Sequence, residues 1–333
     1  MRQTVAFTRD ARNVFFHILT QCNLRCAHCY INREEHGHGM LPLETIESWL
    51  GHLALPGKES NVIFLGGEPT MHPDLPGAVR AAQRLGYSSV TIDTNGYLFH
   101  DFPDRVDPSE VDYISFSLDG ATPELNDEVR GRGCYETCVA GIRRCVDRGF
   151  ATSVIYTVSS NNFHELHLMP ELLAGLGVER FFIQVIGLRG KAASGEKGLQ
   201  LNRGTWSEIV PNVASRAAEL GIAATFPRVF LEPGEVFECA GNVAENYFVF
   251  PNGRVYRCPL CEDYAWHALE IGDQGLVERG GITETNLFSL EIPEGCVMNR
   301  LIQPENIERG ADGKPLYRIA CCLLKELVEP AGA

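Results

Sequence analysis

The sequence has no long apolar run. Its longest, such as VFFHIL and NYFVF, fall far short of the roughly 20 residues that cross a bilayer. The opening stretch MRQTVAFTRDARN has no signal-peptide core, so a cytoplasmic protein is expected. Positive charge is also scarce. Twenty-nine Lys and Arg stand against 43 Asp and Glu, a formal net charge of −14 at pH 7. Such a chain attracts polyanions poorly, which disfavours nucleic acid as the main partner, while a local basic pocket can still hold a carboxylate or phosphate. There is no dinucleotide GxGxxG fingerprint, no Walker lysine loop, no internal repeat and no low-complexity tract.

What is present is cysteine, twelve in 333 residues. In a reducing compartment so many thiols point to metal ligands, catalytic groups or small core residues rather than disulfides. With 44% hydrophobic and 22% charged residues the chain is ordinary for a globular protein, long enough for one large domain with an appendage or for two domains.

Short β-branched runs alternate with segments of helical period. NVFFHIL, SNVIFL, SSVTIDT, VDYISFS, ATSVIYTV and RFFIQV read as strands. LPLETIESWLGHLA, PDLPGAVRAAQRLGY, CYETCVAGIRRCVDRG, FHELHLMPELLAGLG and GTWSEIVPNVASRAAELG read as helices, the last kinked or interrupted at Pro211. Six strand-then-helix units predict an α/β fold, a partial (β/α)6 TIM-like barrel over residues 1–225. Chemistry is then expected in the loops after the strands. Beyond about residue 225 the rhythm changes. NYFVFPNGRVYRC predicts a hairpin with a type I′ turn at Asn252-Gly253, and IACCLLKELVE a final helix. Residues 226–333 are expected to form a small C-terminal iron–sulfur domain.

TQCNLRCAHCY, residues 20–30, directly follows the first strand and carries Cys22, Cys26 and Cys29. Three thiols are odd for a disulfide framework and one short of a closed zinc site. They suit a [4Fe–4S] cluster, which normally takes four thiolates, with one iron left open for a ligand. Incidental core cysteines, or zinc with His28 as fourth ligand, are the competing readings.

CxxxCxxC in this position, with LGGEPT after the second strand, resembles the signature of the radical S-adenosylmethionine (SAM) superfamily. The resemblance spans about residues 13–190. It implies that the open iron is chelated by SAM, and that an electron from the cluster releases a 5′-deoxyadenosyl radical that abstracts a hydrogen atom from the substrate. It further implies that Gly66, Gly67, Glu68 and Pro69 hold the methionine amino group. Ser117 and Asp119 of SFSLDG would lie near the ribose and carboxylate, with Thr94 and Asn95 of DTNG beside them. Arg130 would pair with the SAM carboxylate, a job suited to a planar guanidinium; a surface salt bridge is the alternative. His28 would lie near the adenine. A reductant such as flavodoxin or ferredoxin is the implied partner, and low oxygen the implied setting.

Cys239, thirteen residues, Gly253, four residues and Cys258 resemble the opening of the SPASM and twitch extensions of that superfamily, which carry auxiliary [4Fe–4S] clusters. The remainder departs from the full SPASM pattern, leaving Cys261, Cys296, Cys321 and Cys322. Six cysteines can fill one cluster but not two of four ligands each, so one auxiliary [4Fe–4S] cluster is expected. A zinc knuckle on Cys258 and Cys261 is the alternative. Cys134, Cys138 and Cys145 share a helix face. They read as an inward-facing stripe, or as a hydrogen-donor thiol near the substrate. HGHG at 36–39 reads as a solvated loop.

The sequence thus points to a radical SAM enzyme. Its substrate would be a peptide or protein, as for a maturase, or a small metabolite such as a nucleotide, sugar or tetrapyrrole. The cluster loop starts at residue 22, so a peptide is expected to be recognised by the C-terminal part or a separate protein. A non-catalytic iron–sulfur carrier or scaffold is the reading of another class, and the GGEP loop speaks against it.

Overall fold

The computed structural model describes residues 8, 10–55, 57–194, 198–232, 234–302 and 306–331. Seven strands follow one another in parallel: β1 (Ala11–His17), β2 (Glu59–Leu65), β3 (Ser89–Thr94), β4 (Tyr113–Ser117), β5 (Thr152–Val158), β6 (Arg180–Val185) and β7 (Ala223–Pro227). The chain continues through β8 (Phe230–Leu231), β9 (Glu245–Val249), β10 (Arg254–Tyr256), β11 (Leu269–Gly272), β12 (Gly275–Glu278), β13 (Arg318–Ile319) and β14 (Lys325–Val328). Twelve of these form one sheet in the order β12-β11-β10-β9-β1-β2-β3-β4-β5-β6-β7-β14. The mixed α/β architecture with its parallel run is that of a partial (β/α)6 barrel.

The strands read as apolar because both faces are covered. On β1, Val14 and Phe16 are fully buried and join a core with Ile46, Leu50 and Val79 from the helices Leu43–Leu53 and Leu75–Arg84. The alternate residues Phe15 and His17 face the barrel cavity. The same period of two puts Asp93, Ser115, Ser117, Ser153 and Thr157 on the cavity side of β3, β4 and β5.

Residues after 225 extend the sheet at both edges. β9 pairs in parallel with β1, reinforced by the Arg12–Glu245 ion pair at 2.7 Å, an Asn13–Asn246 side-chain bond of 2.9 Å, and Phe15 stacked on Phe248 at 4.4 Å. β14 pairs antiparallel with β7.

Four expectations are corrected. The final helix is absent: Ile319 ends β13, a turn carries Cys321 and Cys322, and Lys325–Val328 is strand. The open edge of β7 supplies a ladder of backbone partners, and that outweighs the helical propensity of LLKELVE. Pro211 does not interrupt its helix, which runs unbroken from Arg203 to Glu219; the Asn212 side chain donates to the Glu208 carbonyl at 2.7 Å. The β9–β10 turn is not type I′, because Gly253 (φ +84°) has a positive φ and Asn252 does not. The Gly253 N–H bonds the Phe250 carbonyl at 2.9 Å, with Pro251 presetting the first corner. Finally, His36 is no solvated loop residue. It is fully buried, stacks on Phe250 at 3.9 Å and bonds the Glu262 carbonyl at 3.1 Å.

Candidate functional site

The loop after β1 and the loop after β2 are joined by backbone. The Gly67 N–H donates to the Leu19 carbonyl at 3.0 Å, and the Glu68 N–H to that of Gln21 at 2.9 Å. Position 67 must be glycine for this approach: a Cβ there would lie 2.1 Å from the Gln21 oxygen. The far side of the cysteine loop is held by the Lys191 N–H on the Cys29 carbonyl, 2.9 Å. Cys22, Cys26 and Cys29 are half-buried free thiols on this irregular loop, and all three line a cavity of about 430 Å³ inside the barrel.

Gly66, Gly67, Glu68, Thr94, Asn95, Ser117, Arg130 and His28 line the same cavity, whereas Pro69 and Asp119 do not. Glu68 is buried, and burial raises its pKa, partly offset by the hydroxyl of Thr70, the Asn95 N–H at 2.7 Å and the Thr94 hydroxyl at 2.8 Å. The loops after β2 and β3 are thereby tied to one carboxylate. Asp119 is fully buried behind the wall. Its carboxyl meets His28 Nε2 at 2.8 Å, Arg130 Nη2 at 2.7 Å and the Thr157 N–H at 2.7 Å. Burial opposes its ionisation, but the Arg130 guanidinium and His28 hold it down at about 2. Arg130, the last residue of the helix Pro123–Arg130, is therefore no surface residue; its side chain is 10% exposed.

Whether these residues fit a [4Fe–4S] cluster and SAM is tested by what they leave unsatisfied. Arg130 Nε and His28 Nδ1 are buried without a hydrogen-bond partner, both at the cavity. Burial pushes the Cys22 thiol up to about 12, so a thiolate there needs a positive charge beside it. Among the described residues no three His, Cys, Asp or Glu side chains converge on a single ion. His28 is turned onto Asp119, which removes it from a zinc site with the three cysteines. The donor set fits an extended cluster with a polar ligand beside it.

The six later cysteines gather from four separate segments. The thiols of Cys239 and Cys321 share a hydrogen bond, as do those of Cys258 and Cys261. Cys296 lies within electrostatic reach of Cys321, Cys258 and Cys322. Cys258, Cys261, Cys296 and Cys322 pack into a second apolar cluster containing Phe248, Phe250, Tyr256 and Leu260. Of the six, Cys322 lines the barrel cavity. Cys138 and Cys145 instead face the core of the barrel wall, where Cys138 donates to the Ser117 carbonyl at 3.6 Å, and the buried Cys134 donates to the Arg130 carbonyl at 3.5 Å.

Sequence reasoning missed several cavity residues. The Tyr30 hydroxyl donates to His17 Nε2 at 2.7 Å, since His17 Nδ1 donates to the Val249 carbonyl; Arg189 lies over the Tyr30 ring at 4.4 Å and pairs with Glu262. Nothing local marks Arg189 or Glu262, because their meeting depends on the C-terminal segment folding over the barrel. Asp93, Arg180 and Gln184 had a signal: polar residues on one side of strands otherwise apolar.

Residues 17–173 match the family model described as the Radical SAM superfamily. The chain is 30% identical over 171 residues to the Fe-coproporphyrin III synthase of Methanosarcina barkeri, covering 50% of this chain and 42% of that protein. It is 31% identical over 192 residues to the pre-heme d1 synthase of Dinoroseobacter shibae, covering 55% and 46%. It is 27% identical over 178 residues to the probable GTP 3′,8-cyclase of Saccharolobus solfataricus, covering 53% and 58%. The matches therefore span about half the length of these relatives. In fold, the chain is similar to Streptococcus suis SuiB bound to its precursor peptide SuiA, with a TM-score of 0.62, 14% identity, and 91% and 68% coverage. It is likewise similar to anSMEcpe with bound AdoMet, with a TM-score of 0.56, 14% identity, and 91% and 85% coverage. No helix among the described residues is long and apolar enough to cross a membrane.

Proposed function

From a chain whose residues 17–173 match the model of the Radical SAM superfamily, we propose an enzyme that cleaves SAM reductively to a 5′-deoxyadenosyl radical and directs it at a hydrogen atom of a substrate in the barrel cavity. The observation that carries this reading is that the three loop cysteines, the GGEP loop and the orphaned Arg130 and His28 nitrogens share one cavity. A carrier of electrons has no use for such a pocket.

Cys22, Cys26 and Cys29 would hold the cluster, which when bound would supply the electron and an open iron site for the amino acid end of SAM. Gly66 and Gly67 give the methionine close access to backbone. Glu68, fixed by Thr70, Thr94 and Asn95, takes its amino group, and Pro69 shapes that turn from behind. Arg130 offers its guanidinium to the carboxylate, Ser117 a hydroxyl to the ribose, and His28 a ring face beside the cluster. Asp119 is a positioning residue, acting through Arg130 and His28. Residues 226–333 hold one auxiliary [4Fe–4S] cluster, with Cys239 and Cys258 as ligands joined by Cys261 and one of Cys296, Cys321 and Cys322. A flavodoxin or ferredoxin supplies the electron.

For the substrate, a small polar metabolite is the reading the cavity supports best. Asp93, Ser115, Ser153, Arg180 and Gln184 bring polar groups into a cavity that is otherwise largely apolar, and relatives at about 30% identity are named for coproporphyrin and pre-heme d1 synthesis. A maturase-like peptide substrate rests on likeness of fold alone.

Anaerobic incubation of the reconstituted, reduced protein with SAM tests the reading. 5′-Deoxyadenosine is expected in the product mixture. Its absence from protein with a full iron complement and candidate substrate present overturns the proposal.

A further inference from the structure

The polar layer across the middle of the barrel is more specific than a wet cavity floor. Strand register puts Asp93 beside Ser115, Ser115 beside Ser153, and Ser153 beside Arg180. All four line the cavity. The row starts at Asp93, next to the Thr94–Asn95 turn that grips Glu68, and runs to the first residue of β6. One end thus lies at the proposed SAM pocket and the other deep in the barrel.

The charged groups of this cavity are mostly matched. Arg130 has Asp119 and Arg189 has Glu262. Lys325 donates to the Cys322 carbonyl at 2.6 Å and lies 3.4 Å from Gln184 Oε1. Glu68 is held by Thr70, Thr94 and Asn95 and faces the proposed SAM pocket. Arg180 is different. It is half-buried, and among the described residues its side chain makes no hydrogen bond or ion pair; it lies over the Tyr113 ring at 5.4 Å. A guanidinium keeps its charge and its five N–H donors at any physiological pH. Its donors are therefore free to take a ligand, and a group with two acceptor oxygens matches its fork. The carboxyl in its own layer cannot serve. Asp93 is three strands away, roughly 14 Å along the sheet, and is engaged by Ser115.

The hydroxyls between them have a direction. Ser153 donates to Ser115 at 2.7 Å, and Ser115 donates to Asp93. The Ser153 oxygen is left to accept, on the strand beside Arg180.

We propose that this layer is the substrate's anchoring site, with Arg180 binding a carboxylate or phosphate and Ser153 accepting from a hydroxyl or amine beside that group. The proposal rests on the reading of the cavity as a substrate cavity. The anionic end of the substrate lies at Arg180, and the reacting end points along the row towards Asp93 and the SAM loops. The substrate class is a compact hydroxy or amino compound carrying an oxyanion. The two possible anions share this chemistry and are separated by experiment.

The test is anaerobic calorimetry on the iron-loaded full chain in the presence of SAM, with L-malate and glycerol 3-phosphate as probes. At least one is expected to bind. Arg180→Gln is expected to weaken it about tenfold or more, the loss of a charge-assisted pair of bonds, with Arg180→Lys in between. The probe that binds tells carboxylate from phosphate. Equal affinity in wild type and Arg180→Gln, or no binding of either probe to the wild type at millimolar concentration, overturns the proposal. Should Arg180→Gln not fold, Ser153→Ala carries the test, and unchanged affinity there is equally adverse. 5′-Deoxyadenosine formation by the same wild-type preparation is scored separately. Arg180-dependent binding without it would remove the radical reading and leave the anion site standing.

Discussion

Cys22, Cys26 and Cys29 sit on one loop of eight residues, whereas the six later cysteines arrive from four segments between residues 239 and 322. The early thiols open into the cavity and make no hydrogen bonds with one another among the described residues; Cys22 accepts from the Leu24 N–H at 3.3 Å. Among the later thiols Cys239 bonds Cys321 and Cys258 bonds Cys261, and Cys258, Cys261, Cys296 and Cys322 are packed against aromatic side chains. One group is arranged for a ligand to approach it. The other is arranged to hold chain segments together, and its segments are those that pair with β1 and β7 at the two edges of the parallel run. The contrast separates a proposed reaction centre from a proposed structural and electronic one that shares its cavity through Cys322.

The contrast breaks most sharply if the early cysteines are removed together. Cys22→Ala, Cys26→Ala and Cys29→Ala in one variant should abolish SAM cleavage and lower the iron content from about eight to about four per chain, at four irons per cluster. Iron analysis and electron paramagnetic resonance read the outcome. Residual 5′-deoxyadenosine from that variant would show the assignment to be wrong. Conversely, replacing Cys258 and Cys321 by alanine should also leave about four irons, and should speed hydrogen exchange in β14 because the turn at Cys321-Cys322 is no longer pinned. Unchanged exchange in Lys325–Val328 would detach the metal from the fold of that edge. About twelve irons in the wild type would exclude a single auxiliary cluster.

Smaller effects sharpen the comparison. Arg130→Ala should weaken SAM binding by about 1.5–3 kcal/mol, the worth of a charge-assisted hydrogen bond in a dry site. Calorimetry on the anaerobic protein measures it, and an unaltered Kd would leave Arg130 as Asp119's partner only. The last effect is on pH dependence. Burial lowers the His36 pKa to about 3, against about 6.5 when unfolded. The folded protein therefore keeps His36 neutral where the unfolded chain would protonate it. Stability from this site is intact above pH 6.5 and declines as pH falls towards 3, by at most about 1.4 kcal/mol per pH unit. His36→Gln should flatten that slope in urea titrations between pH 6.5 and 4.5; an identical slope would assign the acid sensitivity to other groups.

The parallel strands and their helices were legible because period-two and period-3.6 patterns are local. GGEP and CxxxCxxC were legible for the same reason, each being a short run on one loop. Their relation was not. That the Gly67 N–H reaches Leu19, or that Asp119 stands behind Arg130 rather than in the cavity, depends on packing between strands. The final helix was misread because LLKELVE carries helical propensity, while the unpaired edge of β7 is invisible in that window. His36 was misread because Phe250, which covers it, lies more than two hundred residues away.

The amino-acid sequence by itself determined the βα alternation, the open three-thiol loop at the end of β1 and the glycine turn beside it. Each is set by residues within a few positions of one another, so their contacts cost little loop entropy and leave a local pattern. Tertiary structure alone decided the gathering of Cys239, Cys258, Cys261, Cys296, Cys321 and Cys322, the burial of His36, and the row that keeps Arg180 away from Asp93. These follow from strand register and from the burial of apolar faces between distant segments, and register is fixed only when the whole sheet pairs.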